Sequence, residues 1–366
     1  MSSADDLVRE EVKSISPYNA GLTIEEVRSR YGAETISKLG SNENPLGPSP
    51  TVQAAIVHAL AGVHLYPDPA GNELRGALAG RLGVAADRIV LGNGSEDLLS
   101  VICRTVLRPG DTMVTLYPSF PLHEDYAALM GSSVERIGLK DDLSIDVQGL
   151  IDAVARMPRM VMFANPMNPV GAWLTGGELR RVVDALRPGT LLVVDEAYVE
   201  YARGEDYADA AELLKDVDLP WIVLRTFSKA WGLAGLRLGY GVLGNASLGS
   251  FLDRVRTPFN ANLLAQVAAR AALEDTAHVE KVVELAVGER ERVAACLRSK
   301  GLRVAPSKGN FLFFDCRENA VAFCERLLRQ GLIVKPWKQP GYESFVRVSV
   351  GTPADNDRFL HVLSQA

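Results

Sequence analysis

Residues 225–241 read RTFSKAWGLAGLRLGYG: a lysine, Lys229, follows a strand-like run, and an arginine, Arg237, comes after it among small residues. A primary amine can condense with an aldehyde to form an imine, and a fixed guanidinium can hold a phosphate. Small residues between the two let the backbone approach a flat ligand closely. An aldehyde cofactor that carries a phosphate, pyridoxal 5'-phosphate, needs both groups. The plainer alternative is a surface lysine in a glycine-rich loop.

Four further segments bear on that choice. LLVVDEAYVEY puts Asp195 at the end of an apolar run and Tyr198 shortly after it. Ligands of open α/β sheets bind beyond the carboxyl ends of the strands. A carboxylate there can pair with a protonated pyridine nitrogen, and a phenol can donate to the ring oxygen; capping of the next helix is the simpler role for Asp195. LGNGSEDLL carries Gly94, Ser95 and Glu96 from a strand into a helix, whose first N–H groups can bind a phosphate, provided the Glu96 side chain turns away. ANPMNPVG offers Asn168 as a polar partner for the ring oxygen. YPSFP offers Phe120 for stacking on the ring, with ordinary core packing as its alternative. A phosphate turn, an aromatic, an asparagine, an aspartate–tyrosine pair and a lysine–arginine pair thus occur in succession. Each but the arginine stands just beyond a predicted strand.

The elements that position these residues alternate. Strands are expected at Arg88–Leu91, Asp111–Leu116, Arg159–Ala164, Leu191–Val194, Trp221–Leu224 and Leu238–Val242. Helices are expected at Glu73–Leu82, Leu98–Leu107 and Gly177–Leu186. Short apolar runs between helices predict a mainly parallel sheet covered on both faces, an α/β fold. Upstream, Thr23–Tyr31 reads as a short helix in an N-terminal arm, and Pro50 opens a helix through Val52 to Leu60. A long helical stretch, about Asn262–Lys300, leads to a smaller α+β region containing GNFLFFDC, LIVKPW and SFVRVSV. The expected division is an arm over 1–45, a large cofactor-binding domain over 46–265 and a small domain over 266–366, consistent with a chain too long for one ordinary core.

Composition removes other classes. The 366 residues are 47% hydrophobic and 23% charged, ordinary for a globular protein, and the net charge of -6 with no basic stretch argues against nucleic acid or an anionic membrane as partner. The acidic N-terminus lacks the pattern of a signal peptide and no apolar run approaches a membrane span, so a cytoplasmic location is expected. Cys103, Cys296, Cys316 and Cys324 are scattered, and the five histidines lack metal-ligand spacing, so neither disulfides nor a metal are expected.

Together with SNENPLGPSP, LYPD and VRVSVGT, these motifs resemble the fold-type I pyridoxal-phosphate aminotransferases, specifically the histidinol-phosphate aminotransferase group, from about Pro17 to the end of the chain. The resemblance implies a homodimer with active sites at its interface, and an amino donor and a 2-oxo acid as substrates. It makes Lys229 the Schiff-base lysine and proton carrier and Asp195 the pyridinium partner. Asn168 and Tyr198 bind the ring oxygen; Gly94, Ser95, Thr226, Ser228 and Arg237 hold the phosphate; Phe120 covers the ring. Tyr66 reaches the neighbouring subunit's phosphate. Arg347 takes the anionic end of the substrate, with Tyr18, Asn44 and Lys335 lining the same pocket. Lys335, His123 and Phe259 depart from the arginine and tyrosines commoner in that group, and all three are expected in the substrate pocket. Met167 and Val170 depart as well, beside Asn168. The expected activity is transamination of histidinol phosphate with 2-oxoglutarate. An aromatic or specialised amino-acid aminotransferase, a decarboxylase of a phosphorylated amino acid and a non-catalytic regulatory module remain open.

Overall fold

The computed structural model describes residues 4–365. Its strands in chain order are β1 (Ser37–Lys38), β2 (Ile89–Gly92), β3 (Thr112–Leu116), β4 (Ser133–Ile137), β5 (Met160–Ala164), β6 (Leu191–Asp195), β7 (Trp221–Thr226), β8 (Gly239–Leu243), β9 (Arg303–Val304), β10 (Phe311–Asp315), β11 (Leu332–Ile333), β12 (Lys335–Pro336) and β13 (Phe345–Ser349). The central sheet has the order β2-β8-β7-β6-β5-β3-β4. β8 is antiparallel to both of its neighbours, and the remaining pairings are parallel.

The apolar runs are apolar because both faces of this sheet are covered. Val161, Phe163, Val194 and Val223 pack against helices on one face, with Leu74, Leu179 and Ala268 among their partners. Met160, Met162, Val193 and Ile222, one residue out of phase, pack on the other face with Leu98, Ile102 and Leu252. The reversal of β8 matters for the site. Gly239, its first residue, pairs with Gly92 at the end of β2 and Thr226 at the end of β7. A residue that precedes β8 therefore lies at the same sheet edge as residues that follow the other strands, which is where Arg237 belongs.

Downstream of the long helices lies a smaller antiparallel sheet, β12-β13-β10-β9, and β11 there pairs in parallel with β1 from the N-terminal arm. In β13 the alternation is strict: Val346 and Val348 enter the small-sheet core, while Phe345 joins the core of the large sheet. Arg347 shares the phase of Phe345, so it faces the central sheet. The long helical stretch expected over 262–300 is two helices, Leu263–Glu274 and Thr276–Ser299. Asp275 leaves helical geometry between them and accepts the backbone N–H of His278, a cap that outweighs continuation. Among the described residues no helix is long and apolar enough to cross a membrane.

Candidate active site

A cavity of about 860 Å³ opens at the carboxyl edge of the central sheet. The expected site residues line it, except Gly94, Asn44, Tyr66, His123 and Phe259. Lys229 follows β7, and its Nζ donates to the carbonyl of Ser41 at 2.9 Å. Burial first, then the charge of Arg347, pushes its pKa down to about 7. Part of the amine is therefore uncharged near neutral pH, the form that attacks an aldehyde.

Asp195 is buried at the end of β6, where Oδ1 accepts from the Ala197 N–H at 3.1 Å. Its Oδ2 lies 3.1 Å from His123 Nε2. Arg347 donates to Asn168 Oδ1 and to the Gly40 carbonyl, both at 2.6 Å, which fixes the guanidinium at the inner wall. With its oxygen so used, Asn168 is left its Nδ2 to donate. Tyr198 is buried between Lys229 and Phe311, and burial pushes its pKa up to about 12. Phe120 borders the cavity edge-on to Tyr18, with ring centres 6.1 Å apart.

At the other end three chain segments meet as closely as glycine permits. A Cβ on Gly94 would lie 2.7 Å from an Arg237 nitrogen, and one on Gly239 would lie 2.2 Å from Ser95 N. Gly94, at φ +88°, opens the helix Ser95–Val106, whose first N–H groups point at the cavity edge. Arg237 holds a left-handed backbone (φ +57°) while its guanidinium donates to the Ala234 carbonyl at 3.0 Å and reaches Ser228 Oγ at 3.4 Å. Strain of this kind in a non-glycine residue is kept where surroundings or function require it. The Ser228 N–H donates to Thr226 Oγ1 at 3.0 Å. Glu96 Oε1 accepts from Tyr126 at 2.9 Å, while its Oε2 stays 3.8 Å from Arg237 Nη2. The donors left around this cradle suit a phosphate.

The structure corrects several expectations. His123 is not in the substrate pocket: the helix Pro121–Ala128 turns it inward, 1% exposed, behind Asp195. Phe259 is not there either; it stacks on Tyr66 at 4.6 Å, both rings exposed at the surface. Of the three departures only Lys335 lines the cavity, where it donates to the Asn19 carbonyl beside the Tyr18 ring. Burial and the nearby Arg347 push its pKa down to about 8. Asn44 holds backbone instead of facing the cavity: Nδ2 donates to Ala230 O at 2.9 Å and Oδ1 accepts from Leu46 N at 2.8 Å. The neighbouring asparagine, Asn42, which the sequence does not single out, donates from Nδ2 to the Tyr198 hydroxyl oxygen at 3.0 Å. Two similar asparagines in one turn-rich motif give no sequence signal as to which one turns inward.

Residues 34–363 match the family described as aminotransferase class I and II. The chain is 62% identical to histidinol-phosphate aminotransferase 1 of Mesorhizobium japonicum over 365 residues, which cover 100% of both chains. It is 58% identical to histidinol-phosphate aminotransferase 3 of Rhizobium meliloti, covering 98% of this chain and 97% of that one. Among solved structures, histidinol-phosphate aminotransferase from Sinorhizobium meliloti in complex with pyridoxal 5'-phosphate superposes with a TM-score of 0.88 at 31% identity, covering 98% of each chain.

Proposed function

This chain belongs to the class I and II aminotransferases, and from that premise we propose that it moves the amino group of histidinol phosphate to 2-oxoglutarate. The observation that carries the substrate is a pair of cations in one cavity with Lys229: Arg347, fixed at the inner wall, and Lys335, nearer the surface. An anionic substrate end fits a guanidinium already held by Asn168 and Gly40, because no side-chain ordering remains to be done.

Pyridoxal 5'-phosphate supplies an aldehyde for linkage to Lys229 and an electron-withdrawing ring for the carbon that bears the amino group. Lys229 would anchor the cofactor and carry the proton to and from that carbon. Asp195, steadied by His123, would keep the ring nitrogen protonated through direct attraction. Asn168 and Tyr198 would donate to the ring oxygen, and Phe120 would pack beside the ring. The backbone at Gly94, Ser95 and Glu96, with Thr226, Ser228 and Arg237, would hold the phosphate. Arg347 grips the substrate, with Tyr18 and Lys335 beside it. The working form is a cytoplasmic homodimer: Tyr66, 83% exposed in one chain, is free to reach a partner's cofactor, and the free cysteines suit a reducing compartment.

The test is a panel of amino donors, histidinol phosphate, phenylalanine and O-phosphothreonine, given to the cofactor-loaded enzyme while its absorbance reports conversion to the amine form. Preference for histidinol phosphate is expected. Preference for phenylalanine, with histidinol phosphate ignored, overturns the substrate. Carbon dioxide release from O-phosphothreonine would replace the reaction class.

A further inference from the structure

Asn42 does not line the cavity, but its side-chain amide nitrogen is committed to Tyr198, which does. Its backbone N–H donates to Ser349 Oγ at 2.8 Å, and that hydroxyl donates back to Asn42 Oδ1 at 2.8 Å. With Ser349 Oγ donating to Oδ1, the amide nitrogen is the atom that faces Tyr198. Asn310 Nδ2 holds the Asn42 carbonyl at 3.1 Å. The residue is 1% exposed and takes a left-handed backbone, φ +56°, which asparagine tolerates better than most residues. The same strap touches two more site residues: Gly40 accepts from Arg347 and Ser41 from Lys229.

Resting on the reading that Tyr198 donates to the ring oxygen, we propose that Asn42 is a positioning residue that sets the direction of the Tyr198 O–H. The amide N–H occupies one acceptor side of the phenol oxygen. An amide nitrogen cannot accept in return, so the phenol proton is directed away from Asn42 and into the cavity that Tyr198 lines. A bare tyrosine in this place would be free to rotate its proton toward any nearby acceptor.

The readout is the pH midpoint at which the bound cofactor's visible absorbance changes in the holoenzyme. A donor on the ring oxygen stabilises it most when the adjoining linked nitrogen has lost its proton, so it lowers that midpoint; losing the donor raises it. Tyr198→Phe should raise it by about one to two pH units, the size of a hydrogen bond to a charged group. Asn42→Asp keeps the shape and the acceptor for Ser349, but offers the phenol a carboxylate. It should draw the proton back and raise the midpoint as far as Tyr198→Phe does. Asn42→Gly, which suits the left-handed backbone and serves should the aspartate variant fold poorly, should raise it part of the way. The neutral Asn42→Gly should add no shift in the Tyr198→Phe background, whereas Asn42→Asp should add only the smaller shift of its own charge. Wild-type midpoints in both Asn42 variants, or equal shifts with and without the Tyr198 hydroxyl, overturn the proposal. A wild-type midpoint in Tyr198→Phe itself instead removes the premise about Tyr198, and the proposal falls with it.

Discussion

At the residue scale the site separates groups that must keep a charge from groups that must be able to lose one. Asp195 belongs to the first kind, held between the Ala197 N–H and His123. Asp195→Asn preserves shape and should leave folding almost unchanged, while turnover falls by about 10²–10³, the scale of a lost electrostatic stabiliser. Turnover near wild type would reduce Asp195 to a backbone cap. Lys229, with its pKa down at about 7, belongs to the second kind, whereas Lys335 has to be charged to attract an anion. The Lys335 pKa of about 8 in the free protein means that this side chain is charged below that pH and neutral above it. For histidinol phosphate, kcat/KM should therefore decline as pH rises through about 8, and more steeply than for phenylalanine. Lys335→Arg, which stays charged, should flatten the difference between the two donors. The same decline for both donors, or its persistence in Lys335→Arg, would show that Lys335 does not meet the phosphate.

At the element scale the site depends on reversed β8, which brings Arg237 and Gly239 against the start of the helix Ser95–Val106. Gly239→Ala would put a methyl 2.2 Å from Ser95 N and 2.9 Å from the Arg225 carbonyl, both backbone atoms that cannot swing aside. We expect loss of about 1–3 kcal/mol of stability, as for overpacking, and a weaker grip on the cofactor phosphate, measured by denaturant unfolding and by cofactor dissociation. Unchanged cofactor affinity in a destabilised variant would separate the packing from the site. Much of this architecture was legible beforehand, because buried parallel strands such as LLVVD and WIVLRT carry continuous apolar runs, and the chemistry-bearing residues stand at their ends. β4, SVERI, was missed, since an edge strand with exposed polar positions lacks that signal. So was the break at Asp275, where a capping aspartate interrupts otherwise helical spacing. The inward turn of His123 and the surface stacking of Phe259 were not legible. Motif position tells which loop a residue is on, whereas the side it faces is fixed by packing from elements distant in sequence.

At the scale of the whole molecule, one group of exposed apolar side chains among the described residues lies near Tyr66. Val57, Leu60, Val63 and Leu65 are each about half exposed or more, along the helix Pro50–Ala59 and the turn after it, and the exposed Tyr66–Phe259 stack continues the patch. A contiguous apolar patch of this kind is expected at an interface rather than in water. In the proposed homodimer this surface would be covered by a second copy, and Tyr66 would be carried to the partner's phosphate end. The wild-type protein should then sediment at twice the 39.6 kDa of one chain. Val57→Glu combined with Leu65→Glu should yield monomers that lose cofactor more readily, because burying two carboxylates against apolar surface costs more than the interface returns. Tyr66→Phe removes only a hydroxyl, so it should leave the dimer intact and still loosen the cofactor. If the double glutamate variant remains dimeric, the interface lies elsewhere; if Tyr66→Phe retains the cofactor as the wild type does, Tyr66 serves the interface by packing alone.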